Sequence, residues 1–217
     1  MNDLVHWLAR CVCRGEDAGF SELVGGGTLL CPRCSGVYAG LLAGLAISLA
    51  VRRRSAGLPP RWLFAVQIGS LAAMGVTGFA SLYGLPALPL AARFAVGALF
   101  GQAIGSMAGE VIKARLNPRM GGGWMFADTL AYLGGGAVLA VLPLAAARCG
   151  CGSAIVNIAG LAGLCAALAG ANAVLASILG PRIFGNPRRV RLALAVLPAV
   201  CAIQMLILRA WRCWWAS

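Results

Sequence analysis

Apolar and polar positions in this chain are sorted into long blocks rather than into single turns. The run from about Cys31 to Val51 is mostly apolar and stops at Arg52-Arg53-Arg54. Similar runs cover about Trp62–Leu85, Leu90–Ile112, Trp124–Ala147, Ala154–Leu179 and Leu192–Leu208. Most come close to the roughly 20 residues that a bilayer-spanning helix needs. Proline, glycine and arginine clusters separate them: Pro59-Pro60-Arg61, Pro86 with Pro89, Asn117-Pro118-Arg119 with Gly121-Gly122-Gly123, and the basic stretch from Pro181 to Arg191. The pattern predicts an all-α polytopic membrane helix bundle of about six transmembrane helices. Residues 1–30 form a separate N-terminal segment, read as a short interfacial helix followed by a flexible turn at Gly25-Gly26-Gly27. The remainder divides into a three-span half, 31–115, and a second three-span half, 116–217.

Composition sharpens this reading. The chain is 60% hydrophobic and 11% charged, whereas a soluble domain carries about 25% charged residues. Its formal net charge of +12 would point to nucleic acid in a soluble protein. Here the arginines gather in short loops between spans, where membrane anchoring puts them, so nucleic acid is not an expected partner and the lipid bilayer is. The first thirty residues hold Asp3, Glu16, Asp17 and Glu22 and no adequate apolar core for a cleavable signal peptide, so the first span is expected to drive insertion. Lysine and arginine are denser in the loops after spans one, three and five than on the opposite side. That asymmetry places those loops in the cytoplasm and both termini outside a cell membrane.

The cysteines then fall into place. Cys11, Cys13, Cys31, Cys34, Cys149, Cys151 and Cys213 all map to the extracytoplasmic end of the spans, and only Cys165 and Cys201 lie near mid-membrane. The latter two are expected to pack as small hydrophobes. Within Cys31-Pro32-Arg33-Cys34, Cys31 occupies an N-cap position and Pro32 suits the first helical turn. Cys34 follows in that same turn, where the helix dipole, free N–H groups and Arg33 favour a thiolate.

Three chemistries fit Cys11-x-Cys13, Cys31-x-x-Cys34 and Cys149-x-Cys151. In thiol–disulfide exchange, Cys31 attacks, Cys34 resolves, and Cys11 with Cys13 relays electrons to a bilayer quinone or an extracytoplasmic thiol protein. In a metal site, Cys11, Cys13, Cys31 and Cys34 supply four sulfurs for zinc or iron, with His6 as a substitute ligand. In the third reading the cysteines form static disulfides on a small-molecule or lipid transporter. The redox reading leads, by compartment and by helix start.

Small and polar residues inside the spans add detail. Gly36, Gly40 and Gly44 share one face of span one, and Gly97, Gly101, Gly105 and Gly109 share one face of span three. Such faces let helix backbones approach closely, within one chain or between copies in an oligomer. Gln67, Gln102, Glu110, Asn157, Asn172 and Gln204 are the polar residues of the spans, and each is a functional candidate there. Glu110 with Lys113 is expected to snorkel as a surface pair, and Asp128 to sit at the interface.

At Cys31-Pro32-Arg33-Cys34-Ser35-Gly36-Val37-Tyr38-Ala39-Gly40 the sequence resembles a prokaryotic family of predicted multi-pass membrane proteins of unknown function. That family carries C-x-R-C-x-G-x-Y-x-G, preceded by a cysteine that is typically followed by histidine. Cys11 or Cys13 takes the upstream place here, and the next residue is Val12 or Arg14 instead of histidine. The similarity continues through Gly75-Val76-Thr77-Gly78, where the family tends to carry an aspartate before the glycine, and reaches Arg93, Gly97 and Gly101. The resemblance implies membrane topology and a role for the cysteines, and it implies no particular reaction.

Overall fold

A computed structural model describes residues 13, 18–24, 26–51, 59–83, 88–116, 124–148, 151–184, 203 and 207. These residues form six helices: α1 (Ala18–Leu23), α2 (Pro32–Ala46), α3 (Arg61–Leu82), α4 (Leu90–Leu116), α5 (Phe126–Arg148) and α6 (Gly152–Phe184). A π-helical turn, Ile47–Val51, continues α2. Among the described residues four helices are long and apolar enough to cross a membrane, within Pro32–Ala50, Arg61–Ala80, Leu90–Lys113 and Gly152–Asn172. The chain is thus a helical membrane bundle. The fourth expected span is α5, and the sixth, Leu192–Leu208, lies almost wholly outside the described residues.

Local signals start the helices as the sequence dictates. Cys31 is extended (φ −63°, ψ 160°), Pro32 occupies the first turn, and the Ser35 N–H donates to the Cys31 carbonyl. The Cys31 side chain makes no capping hydrogen bond, which leaves its sulfur for other partners. At α5, Asp128 Oδ2 accepts the Met125 N–H at 2.9 Å, satisfying an otherwise orphaned donor at a positive helix end. Asp128 is buried, in the first turn of α5, with its carboxylate turned back onto that N–H.

The centre of the bundle is α2, clasped between α4 and α6. A methyl placed on Gly36, Gly40 or Gly44 would strike the carbonyl oxygen of Phe94, Ala98 or Gln102 respectively. Reciprocally, Gly97, Gly101 and Gly105 lie against the carbonyls of Arg33, Val37 and Leu41. The constant offset of these pairs means that α2 and α4 run parallel and in register, backbone on backbone. Gly163 of α6 abuts the Tyr38 carbonyl in the same manner on a third side. Both glycine faces are therefore consumed within the chain. In contrast, Gly69, Gly75 and Gly134 would meet nothing within 4 Å.

Polar groups inside the bundle are mostly paired. The Glu110 and Lys113 pair does not snorkel: Lys113 is 6% exposed, and its Nζ lies 2.8 Å from Glu110 Oε1. The same oxygen accepts the buried Ser48 hydroxyl at 2.7 Å. Ser48 belongs to the π-helical turn, whose wider winding departs from the side-chain positions of a straight helix. Burial of the pair is supported by that third partner, which a reading of one helix at a time does not include. Cys165 also departs from expectation, being exposed on α6 instead of packed inside.

Val24, directly after α1, is fully buried and joins Ala39, Phe94, Ala98, Leu139 and Val156 in the core, with Leu23 packed against them. The end of α1 is thus packed onto the bundle; most of residues 1–17 lie outside the described residues.

Replacing Gly40 or Gly101 by alanine should destabilise the bundle by about 1–3 kcal/mol, the usual cost of overpacking. Gly75→Ala should have little effect or be slightly stabilising. Thermal unfolding in detergent measures all three, and equal midpoints for Gly40→Ala and Gly75→Ala would contradict the observed packing.

Candidate metal centre

The sulfur site is built from the segment that joins α1 to α2. The Gly26 N–H donates to the Ser21 carbonyl at 2.9 Å, and the Thr28 N–H to Ser21 Oγ at 3.2 Å. Asn157, on the first turns of α6, then holds the segment at two points. Its Oδ1 accepts the Leu29 N–H at 2.8 Å and its Nδ2 donates to the Gly27 carbonyl at 3.0 Å. Gly26 fits against Ser153, where a Cβ would lie 2.5 Å from the hydroxyl oxygen. The expected flexible turn is therefore hydrogen-bonded in place over residues 26–29. Leu30 is buried with Cys13, and Gly160 gives it room, since a Cβ there would come within 3.1 Å of Leu30 Cδ1.

This path delivers Cys31 to the α2 start beside Cys13. The Sγ atoms of Cys13, Cys31 and Cys34 all lie within 4.8 Å of one another. Cys13 is 3% exposed, while Cys31 and Cys34 are half-buried, and none of the three is in a disulfide. The Cys31 N–H donates to Cys13 Sγ at 3.2 Å. Leu29, Leu30 and Tyr38 form the apolar surround.

The electrostatics differ from what a helix start alone promises. Hydrogen bonding with the Cys13 sulfur pushes the Cys31 thiol above its ordinary value, and burial adds to this, with a hydrogen bond from Cys34 opposing. The Cys13 sulfur and burial together outweigh the side-chain and backbone hydrogen bonds from Cys34. Arg33 extends toward α3, where its guanidinium donates to the Thr77 carbonyl at 2.9 Å, close to Gly78.

Three of the four expected ligands, Cys13, Cys31 and Cys34, come together. Cys11 and His6 lie outside the described residues, as do Cys149, Cys201 and Cys213. Cys151 is exposed at the start of α6 and is not part of the sulfur group. Asn157 stood out in the sequence only as a polar residue in an apolar span. Its clamp joins residues 128 apart, so no local pattern announces it.

Residues 23–107 match the model of a family described as predicted membrane protein (DUF2085). The match covers Cys31 to Gly105, hence the helix-start cysteines and the glycine faces of α2 and α4, and it supports an uncharacterised membrane family. No curated protein and no solved structure matches the chain.

In metal-free protein, alkylation at pH 8 should label exposed Cys151 well before buried Cys13. Asn157→Leu should release the segment and speed Cys13 labelling at least tenfold, which peptide mass spectrometry would resolve. A raised thiol holds less thiolate at a given pH, so the Cys31 rate should keep climbing with pH after glutathione has levelled off.

Proposed function

We propose that the protein holds a thiolate-bound metal ion, zinc before iron, at one rim of its membrane bundle, through Cys13, Cys31 and Cys34. The observation that carries this reading is the convergence of three sulfurs from two separate stretches of chain. Zinc–sulfur bonds of about 2.3 Å in tetrahedral geometry put sulfurs about 3.8 Å apart. The present spacing is within about 1 Å of that, so small side-chain movements suffice to close around an ion. A backbone N–H aimed at Cys13 Sγ is the kind of outer hydrogen bond that orients a ligand and stabilises its negative charge. The α2 N-terminus favours the net negative charge of a three-thiolate zinc site.

Thiol–disulfide exchange is the second reading, and the same proximity favours it, since Cys13 can reach both members of the Cys31/Cys34 pair. Its weakness is the attacker. Exchange needs a thiolate near ambient pH, and the surroundings of Cys31 oppose one. A bound cation removes that difficulty, because a coordinated thiol is deprotonated outright. In either reading the arginine asymmetry supports a sulfur rim on the extracytoplasmic side of the membrane.

Purified full-length protein should carry about one zinc or iron per chain by elemental analysis. Cys13→Ser, Cys31→Ser and Cys34→Ser should each lower metal affinity at least a hundredfold. Binding releases thiol protons, so affinity should fall as pH falls, with log K changing by about two to three per pH unit below the thiol range. Metal-free protein whose Cys31 and Cys34 cycle between thiol and disulfide in cells would overturn the proposal in favour of exchange.

A further inference from the structure

A second site lies in the middle of the bundle, away from the sulfur rim. Gln67 of α3 and Gln102 of α4 are 1% and 0% exposed, and the side-chain oxygen of each has no hydrogen-bond partner among the described residues. The amide orientation of Gln102 is fixed by what it faces. Gln102 Nε2 donates to the Tyr132 backbone carbonyl at 2.5 Å, a group that can only accept. Gln67 Nε2 donates to Ser106 Oγ at 3.3 Å, and that hydroxyl spends its own proton on the Ala103 carbonyl at 2.9 Å. Flipping the Gln102 amide would set its oxygen against the Tyr132 carbonyl, two acceptors facing each other. The unpaired atom of Gln102 is therefore an acceptor, and what it lacks is a donor; the Gln67 amide faces hydroxyls, which suit either orientation.

Gln102 also lines a cleft of about 60 Å³ between α3, α4 and α5. Val66, Leu99 and Leu133 form its apolar walls and are themselves exposed on the outer surface of the described helices. Gly136 lies directly over the acceptor: a Cβ there would sit 2.7 Å from Gln102 Oε1. The missing side chain leaves only hydrogen between the buried oxygen and the Gly136 side of the cleft, so a small rotation of the amide brings the oxygen to it. At a rise of about 1.5 Å per residue, Gln102 is about 18 Å along α4 from Leu90 and about 21 Å from Leu116, hence near the bilayer midplane. No charged side chain lines the cleft among the described residues.

We propose that this cleft binds the hydroxyl group of a lipid-soluble ligand, with Gln102 Oε1 as the acceptor and Gly136 as the opening. The chemistry follows from the constraints together. The walls are largely apolar, so the ligand body is apolar. Of the polar residues on the lining, Ser70 spends its hydroxyl proton on the Gln67 carbonyl and Tyr132 offers a hydroxyl. Gln102 Oε1 is the neutral acceptor left without a partner among the described residues, so the group that satisfies it is a neutral donor. The volume admits one polar edge, not a whole headgroup. A hydroquinone and a glycerol lipid with a free hydroxyl share this chemistry.

The test uses the full chain in lipid nanodiscs and three probes: a short-chain alkyl hydroquinone, the matching quinone, and a short-chain diacylglycerol. At least one hydroxyl-bearing probe should bind saturably, and the hydroquinone and diacylglycerol arms identify the source. The quinone, which offers acceptors only, should bind at least tenfold more weakly than the hydroxyl-bearing probe that does bind. Gly136→Ala, which leaves Gln102 and its bond to Tyr132 in place, should weaken binding of that probe at least tenfold, as should Gln102→Leu. Should Gln102→Leu fail to fold, Gly136→Ala decides alone. Absence of binding by both hydroxyl probes, equal binding of the quinone, or indifference to Gly136→Ala would overturn the proposal.

Discussion

The close seating of α2 on α4 is the constraint from which the rest of the structure follows. Between helices in lipid there is no hydrophobic drive, because an acyl chain is as apolar as leucine. What remains is dispersion and weak Cα–H···O contact, and both grow when backbones touch. Gly36, Gly40 and Gly44 facing Gly97, Gly101 and Gly105 provide that touch over successive turns. The Arg33 carbonyl, between the two helix-start cysteines, rests on Gly97. The first turn of α2 is therefore part of the helix interface, and the positions of Cys31 and Cys34 are set by the same packing. Gly163 against Tyr38 then brings α6 alongside, which places Asn157 where it can hold the incoming segment.

What could be read from the sequence follows the range of the interactions. The glycine faces repeat every four residues and were legible, as were Cys31 as the residue before the helix and Pro32 in its first turn, because these are local. The meeting of Cys13 with Cys31 and Cys34 was foreseeable as chemistry, from the gathering of cysteines at one end of the spans. The Asn157 clamp was not, since one asparagine in an Ala/Gly/Leu helix carries no sign of what it will face. Glu110 and Lys113 misled for a related reason. One turn apart on one helix they read as an outward-facing pair, and the partner that keeps them inside, Ser48, lies on a π-helical turn of another helix.

The helix-start argument for a reactive thiolate treats the cysteine as if it stood alone. A lone cysteine in the first helical turn is stabilised as an anion by the dipole and free N–H groups. Three sulfurs in one half-buried group are a different case, since each thiolate raises the cost of the next and burial penalises all of them. Arg33, the nearby cation in the sequence, reaches over to the Thr77 carbonyl. A cluster that resists ionising by itself but gathers sulfur at bonding range is suited to a cation, whose charge reverses the balance.

The intramembrane polar groups separate into two kinds, and the difference carries information. Asn157 and the Ser48–Glu110–Lys113 group make hydrogen bonds that lock one element to another. Gln67 and Gln102 do this with their nitrogens only. An unpaired buried acceptor costs about 1–3 kcal/mol, and leucine at either position would avoid it without asking for a larger cavity. Structural need accounts for the nitrogen of each amide and leaves the oxygen unexplained. Where a bundle built on close glycine contact leaves an acceptor open beside a glycine, the economical account is that something other than the chain completes it.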